Sequence, residues 1–241
     1  MNLTDPQTIQ YIFGLGPEEL VFTIGIGKDS SKTRPPIPIR QPYPEWTKLE
    51  SSQCPNCPLS TESCIHCPAA VRVHEVLENF KNASSFEKID LSVITQRRIF
   101  KQQCDLQSAL NSMLGLQLAT SGCPILEKLR IMANFHMPFC SFAETLHRTV
   151  SAYLTQQYFI YKEGGEADWD LNGLKAYYQD LEILNRAFSQ RIQVIEENDA
   201  ASNAIVMFFA ASIIVADAID DDLAEYKDYF TGKTAQAPTD C

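Results

Sequence analysis

Cys54-Pro-Asn-Cys57-Pro58 is followed closely by Cys64-Ile-His66-Cys67-Pro68, and this stretch of two Cys-x-x-Cys pairs decides how the surrounding chain is expected to fold. In each pair the short spacing lets backbone amides turn towards a sulfur, so that both thiolates reach one ion. Four thiolates that converge in this way form a closed tetrahedral zinc site of the structural kind. The sequence therefore predicts Zn²⁺ bound by Cys54, Cys57, Cys64 and Cys67.

Three other interpretations of these cysteines stay open. A 4Fe-4S cluster is also held by four thiolates, and Cys67-Pro68 is similar to the Cys-Pro that closes bacterial cluster motifs, although the usual cluster spacing is tighter. Two local disulfides need an oxidising compartment, whereas Met1 to Gln10 is polar and lacks the apolar run of a signal peptide. His66 is a candidate ligand in place of Cys64, but neighbouring side chains such as His66 and Cys67 converge poorly on one ion.

On both sides of the cysteines the sequence predicts a compact α+β unit over residues 1–104. Residues 8–13 and 20–26 flank a glycine-containing turn, and residues 98–103 can pair back onto the alternating residues 86–94, so we expect two β-hairpins. A helix is expected over residues 69–80, opened by Pro68 at the position where a missing N–H costs nothing. Five prolines make residues 30–45 a stiff, extended linker.

The remainder of the chain is predicted to be a helical domain over residues 105–230, followed by a disordered tail over 231–241. Apolar residues recur at helical spacing in six segments: 106–118, 124–135, 141–161, 171–195, 200–219 and 223–230. Ser141 and Glu144 form a capping-box pattern at the start of the third segment. The most apolar stretch, Ala204 to Ala216, is too short to span a membrane and is expected to be buried in a core.

Charge is unevenly distributed along the 241 residues. Residues 1–162 carry 15 basic and 14 acidic side chains, whereas residues 163–241 carry 5 and 16, a net charge of −11. Nucleic-acid binding requires a basic footprint, which this distribution lacks. We therefore expect no nucleic-acid partner. Because no stretch is long enough to span a membrane and no signal peptide is visible, we also expect no membrane partner and a cytoplasmic location. The expected partner is another protein or a second copy of the chain, as a homo-oligomer.

Six landmarks give the chain a resemblance to an uncharacterised bacterial protein family: Pro44-Glu-Trp-Thr47, Cys54-Pro-Asn-Cys57-Pro58, His66-Cys67-Pro68, Ser121-Gly-Cys123-Pro124, Phe135-His-Met-Pro-Phe139 and Tyr153-Leu-Thr-Gln-Gln-Tyr-Phe159. The resemblance covers most of the chain and implies a bacterial origin. It also implies variation at the position of Cys64, which can hold a histidine; a metal site tolerates that exchange and a disulfide does not. It implies no activity, cofactor or substrate.

A second group of metal-competent residues lies further along the chain, namely Cys123, His136, Cys140, Glu144 and His147. Glu144 and His147 share a helix face in the Glu-x-x-His spacing that di-iron bundles use, so His136, Glu144 and His147 are the candidate ligands of a second site. A second Glu-x-x-His is absent. The alternative is structural: His136 bridges a buried turn, the two cysteines are small core residues, and Glu144 caps its own helix.

The sequence contains no nucleophile elbow, phosphate loop, dinucleotide fingerprint or His-Glu-x-x-His motif. The first expectation is therefore a zinc-stabilised, non-enzymatic module for protein interaction or self-assembly. The alternative is an iron–sulfur redox sensor or a metalloenzyme, with a second metal at His136, Glu144 and His147.

Overall fold

The two predicted hairpins are present and join into one antiparallel sheet. The computed structural model describes four stretches of the chain: residues 8–26, 42–80, 83–193 and 199–231. Within them the sheet has four strands: β1 (Thr8–Leu15), β2 (Glu18–Gly25), β3 (Lys88–Ile94) and β4 (Ile99–Asp105). Strands β1 and β3 pair with each other, which gives the strand order β2-β1-β3-β4.

Alternation of apolar residues gives this sheet one buried face. Tyr11 and Phe13 on β1 are fully buried, and Leu91 and Val93 point to the same side from β3. The ring of Phe80, from the helix that follows the cysteine stretch, lies 5.0 Å from the ring of Phe13. Period-two alternation therefore places the apolar side chains of both hairpins against that helix.

The rest of the described chain is mainly helical, and the predicted α+β class is confirmed. The described residues contain seven α-helices: α1 (Pro68–Phe80), α2 (Leu106–Ala119), α3 (Arg130–Ala133), α4 (Phe142–Lys162), α5 (Asn172–Gln193), α6 (Asp199–Asp220) and α7 (Ala224–Thr231). Three 3₁₀ turns accompany them: Glu45–Thr47, Leu49–Ser52 and Leu126–Leu129. Helix α1 begins at Pro68, as expected. Ser141 and Glu144 form the predicted capping box at the start of α4.

The chain divides into two compact units that do not follow the order of the sequence. Unit 1 comprises Met1–Phe139 and Asp180–Phe209, and unit 2 comprises Cys140–Gln179 and Ala210–Cys241. The boundary predicted after residue 104 lies inside unit 1, because α2 and part of α5 and α6 belong with the sheet. The predicted tail beyond Thr231, and residues 30–41 of the predicted linker, lie outside the described residues.

Helix α6 is less buried than its composition suggests. Ile205, Phe209 and Val215 are buried, but Val206 is 61% exposed and Ile214 is 50% exposed. The expectation that the whole apolar stretch lies in a core is therefore wrong, since a helix that packs through some of its faces leaves the others uncovered. Among the described residues, no helix is both long enough and apolar enough to cross a membrane.

Candidate metal centre

A short antiparallel bridge closes the loop that carries the two Cys-x-x-Cys pairs. The backbone N–H of Leu49 donates to the carbonyl of Ile65 at 2.9 Å, and the N–H of Cys67 donates to the carbonyl of Thr47 at 2.8 Å. The hydroxyl of Thr47 donates in turn to the carbonyl of Pro44 at 2.7 Å. These bonds hold both ends of residues 50–64 together, so the cysteines of this loop stay close to the start of α1.

His66 supports this bridge. Its Nδ1 lies 2.8 Å from the Thr47 hydroxyl oxygen. Because that hydroxyl already donates to Pro44, the imidazole N–H is the donor in this contact. The ring of Tyr43 packs edge-on against His66 at 5.3 Å. His66 therefore positions the loop through Thr47.

The first pair forms the tight turn that its spacing predicts. The N–H of Cys57 donates to the carbonyl of Cys54 at 2.9 Å. Between them, the side-chain amide of Asn56 donates to the backbone carbonyl of Asp180 in α5 at 3.0 Å. This contact attaches the turn to a helix that lies more than a hundred residues later in the sequence.

Cys67 sits at the start of α1 with its thiol against backbone N–H groups. Its side chain is buried, and burial raises the pKa of the thiol, while hydrogen bonds from the backbone N–H groups of Ala70 and Ala69 oppose that rise. The carbonyl of Cys67 accepts the N–H of Val71 at 3.0 Å. An N–H group that points at sulfur favours the thiolate, which is the form that binds metals.

Cys123 repeats this arrangement in the loop after α2. Burial again raises the pKa of its thiol, and backbone N–H groups of Leu126 and Ile125 again oppose the rise. The carbonyl of Cys123 accepts the N–H of Glu127 at 2.9 Å. The thiols of Cys67 and Cys57 raise the pKa of Cys123 further, as like charges do at short range.

The pKa of Cys54 is affected by the thiols of Cys57, Cys67 and Cys123. Its pKa rises to about 12, first because of burial and then because of the thiols of Cys67, Cys123 and Cys57. All four of these cysteines belong to unit 1. We call Cys54, Cys57, Cys67 and Cys123 the thiol cluster.

Cys64, the fourth predicted ligand, is turned towards its own backbone. Its Sγ donates to the carbonyl of His66 at 3.0 Å. It is not among the groups that raise the pKa values of Cys54, Cys67 and Cys123. Of the other predicted ligands, Cys57 and Cys67 raise the pKa of Cys54, and so does Cys123, which the sequence had assigned to the second group.

A buried arginine lies beside the thiol cluster. Arg191 of α5 is only 2% exposed, and its charge lowers the pKa values of both Cys54 and Cys67. Its guanidinium donates to four backbone carbonyls, those of Trp46, Lys48, Leu49 and Ser52, at 2.5 to 3.2 Å. Among the described residues, no carboxylate lies within ion-pair distance of it. The positive charge of Arg191 therefore faces neutral carbonyls and thiols.

The residues of the predicted second site have separate partners. His136 in unit 1 contacts the hydroxyl of Tyr11 through Nε2 at 2.5 Å. Glu144 accepts hydrogen bonds from the backbone N–H and the hydroxyl of Ser141, both at 2.8 Å. His147 contacts the hydroxyl of Tyr226 and lies over the ring of Phe230. Glu144 thus has the capping role of the structural alternative.

Within the described stretches, no three histidine, cysteine, aspartate or glutamate side chains are grouped so that they could hold a metal ion. Sulfur is a donor that suits zinc, and backbone N–H groups favour the thiolate forms of Cys67 and Cys123. The seven cysteines within the described stretches are all free thiols, so none of these sulfurs is used in a disulfide.

Comparison with known proteins identifies a family for this chain but no activity. The model of a family described as "Domain of unknown function (DUF6901)" matches residues 8–231. No curated protein matches the chain, and no solved structure does.

Proposed function

The chain belongs to the DUF6901 family, and we propose that it is a zinc-stabilised module that binds a protein partner or a second copy of itself and carries out no catalysis. The observation that supports this proposal is the spacing of two Cys-x-x-Cys pairs around a loop whose ends are joined by the bridge at Thr47–Leu49. In the absence of metal, the thiols of Cys57, Cys67 and Cys123 disfavour ionisation of Cys54. A bound cation reverses that interaction, since a thiol that coordinates zinc is deprotonated.

The surroundings of the cluster support an anionic metal centre. Zinc with four thiolates carries a net charge of −2, which is costly to bury without compensation. Arg191 supplies one positive charge, and the N–H groups at Cys67 supply hydrogen bonds to sulfur. Before metal binding, the buried guanidinium has no anionic partner among the described residues. Zinc binding would therefore stabilise the thiolate forms of the cysteines and would give the Arg191 guanidinium an anionic partner.

A site of this kind is structural and has no catalytic position. Four thiolates fill the tetrahedral coordination of zinc, which leaves no place for water or substrate. Binding free energy on the order of 10 kcal/mol then becomes folding free energy for the loop that carries the ligands. We propose a cytoplasmic location, because its reducing conditions keep thiols available for metal.

The partner is proposed to be a protein with a basic surface. Residues 163–241 have a net charge of −11, which repels nucleic-acid phosphates and attracts cationic surfaces. This attraction weakens with salt, because charges are screened over about 8 Å at physiological ionic strength. Binding to duplex DNA or RNA at physiological salt would contradict the charge argument.

Elemental analysis of the purified chain tests the zinc proposal. We expect about one zinc per chain. Cys57→Ser should lose it, whereas Cys104→Ser, which changes a buried cysteine on β4 outside the cluster, should keep it. Iron with acid-labile sulfide would replace the proposal by the iron–sulfur alternative, and a folded protein without any metal would overturn both.

A further inference from the structure

We propose that unit 2 binds a small organic cation that carries an apolar group, in a pocket lined by α4, α6 and α7. All residues that line this pocket belong to unit 2, and its volume is about 390 Å³. Small-molecule sites typically have volumes of about 300 to 1,000 Å³. The proposal goes beyond the proposed zinc centre and does not depend on it, because the cysteines of that centre belong to unit 1.

Most of the pocket lining is apolar. Leu146 of α4 is buried, whereas Phe142 of α4 and Ile214 of α6 are 41% and 50% exposed. The uncovered apolar side of α6 therefore forms part of a concave surface with α4 and α7. An apolar group that enters this pocket removes those side chains from water, which is the main favourable term in such binding.

Two carboxylates, and no basic side chain, occur among the described residues that line the pocket. The N–H of Asp221 donates to the carbonyl of Asp217 at 3.0 Å, so the helical turn continues past Asp220 and the two carboxylates lie on one side of it. In the part of the chain that the structure describes, neither has an ion-pair partner; Lys175 pairs with Asp222 at 3.2 Å. Asp217 and Asp221 can therefore pair with an ammonium group at the pocket.

The turn after α6 gives the pocket a defined shape. Asp222 and Leu223 have φ angles of 50° and 57°, in the left-handed region that residues other than glycine seldom adopt. The N–H of Leu223 donates to the carbonyl of Ala218 at 2.9 Å, as in a Schellman helix end. The turn places Leu223 and Tyr226 in the lining, and the Tyr226 hydroxyl contacts His147 of α4. These contacts lie within the chain, so the pocket is preformed and binding requires little ordering.

The lining defines the chemical class of the ligand. An amine would place its ammonium group at Asp217 and Asp221 and its alkyl or aromatic group against Leu146 and Ile214. A neutral apolar molecule would leave the two carboxylates without a partner, and they would repel an anion. The aromatic ring of Phe142 also favours an organic cation, because the face of an aromatic ring is electronegative.

Titration with octylamine tests the proposal, since this probe has an apolar chain and one ammonium group at neutral pH. The methyl resonances of Leu146, Ile214 and Leu223 should shift in two-dimensional NMR spectra of the full chain. Calorimetry should give an affinity about tenfold higher for octylamine than for octanol, which has the same chain without the charge. Octanoate, which has the opposite charge, should bind more weakly than octanol.

Three variants distinguish the pocket from the general acidity of the chain. Asp217→Asn combined with Asp221→Asn should lower the affinity for octylamine about tenfold, to that of octanol. Asp170→Asn combined with Asp220→Asn removes two exposed carboxylates of unit 2 outside the lining, and should change the affinity by about twofold or less. Ala143→Trp adds a large side chain at an exposed lining position, and should abolish binding of octylamine and octanol.

The contrary outcomes overturn different parts of the proposal. Octanol or octanoate that binds as tightly as octylamine would overturn the assignment of a cation, as would octylamine binding that is unchanged by Asp217→Asn with Asp221→Asn. Octylamine binding that persists in Ala143→Trp, or wild-type methyl resonances that do not shift, would overturn the pocket itself. Zinc content is measured separately, so none of these outcomes affects the proposed function.

Discussion

Replacing Arg191 with methionine should destabilise unit 1 more than any other change to a single charged residue of α5. The arginine donates to the carbonyls of Trp46, Lys48, Leu49 and Ser52, which span both 3₁₀ turns before the first cysteine pair. Methionine has a similar length and no donor, so it removes all four hydrogen bonds and leaves the volume nearly filled.

The magnitude follows from the number and kind of these bonds. A hydrogen bond from a charged donor contributes about 1.5 to 3 kcal/mol, which gives an upper range of about 6 to 12 kcal/mol for four. Two effects reduce it: the variant no longer buries a guanidinium, and water reaches some of the carbonyls. We expect a loss of about 4 kcal/mol, a large part of a typical total of about 5 to 15 kcal/mol.

Urea unfolding followed by circular dichroism measures this loss. The matched control is Arg186→Met on the same helix, where the arginine side chain is 79% exposed and pairs with Glu182 at 2.5 Å. An exposed pair of this kind contributes about 0.5 kcal/mol or less. Arg191→Lys keeps the charge without the planar set of donors and should fall between the two. If the free energy of unfolding of Arg191→Met falls by less than about 1 kcal/mol, the four hydrogen bonds of Arg191 do not stabilise unit 1 as we infer.

Three further predictions concern single contacts. Tyr11→Phe removes the hydroxyl that contacts Ser112 and a histidine ring, and should cost about 1 to 3 kcal/mol in urea unfolding. Ser141→Ala removes the N-cap of α4 and should cost about 1 kcal/mol, and an unchanged midpoint would contradict the capping box. The pKa of Asp168 is lowered first by the backbone N–H of Gly173 and then by the hydroxyl of Tyr153. The ionised carboxylate therefore stabilises the folded state at neutral pH, and this stabilisation is lost as pH falls through the lowered pKa. Asp168→Asn should therefore melt at a lower temperature than wild type at pH 7, with a difference that shrinks below about pH 4; a difference that is independent of pH would contradict the role of the charge.

The sequence by itself determined the local elements of this protein. Alternation in β1 and β3, the proline that opens α1 and the Ser141 capping box each depend on residues within a few positions of one another. Propensity, periodicity and capping act over that range, so one sequence is enough to predict them. The tight turn between Cys54 and Cys57 belongs to the same class.

Only the tertiary structure decided which distant residues meet. Asn56 reaches the carbonyl of Asp180, Arg191 reaches the carbonyls before the first cysteine pair, and α5 contributes to both units. Spacing along the chain carries no information about these contacts, because they depend on how the sheet and helices pack together.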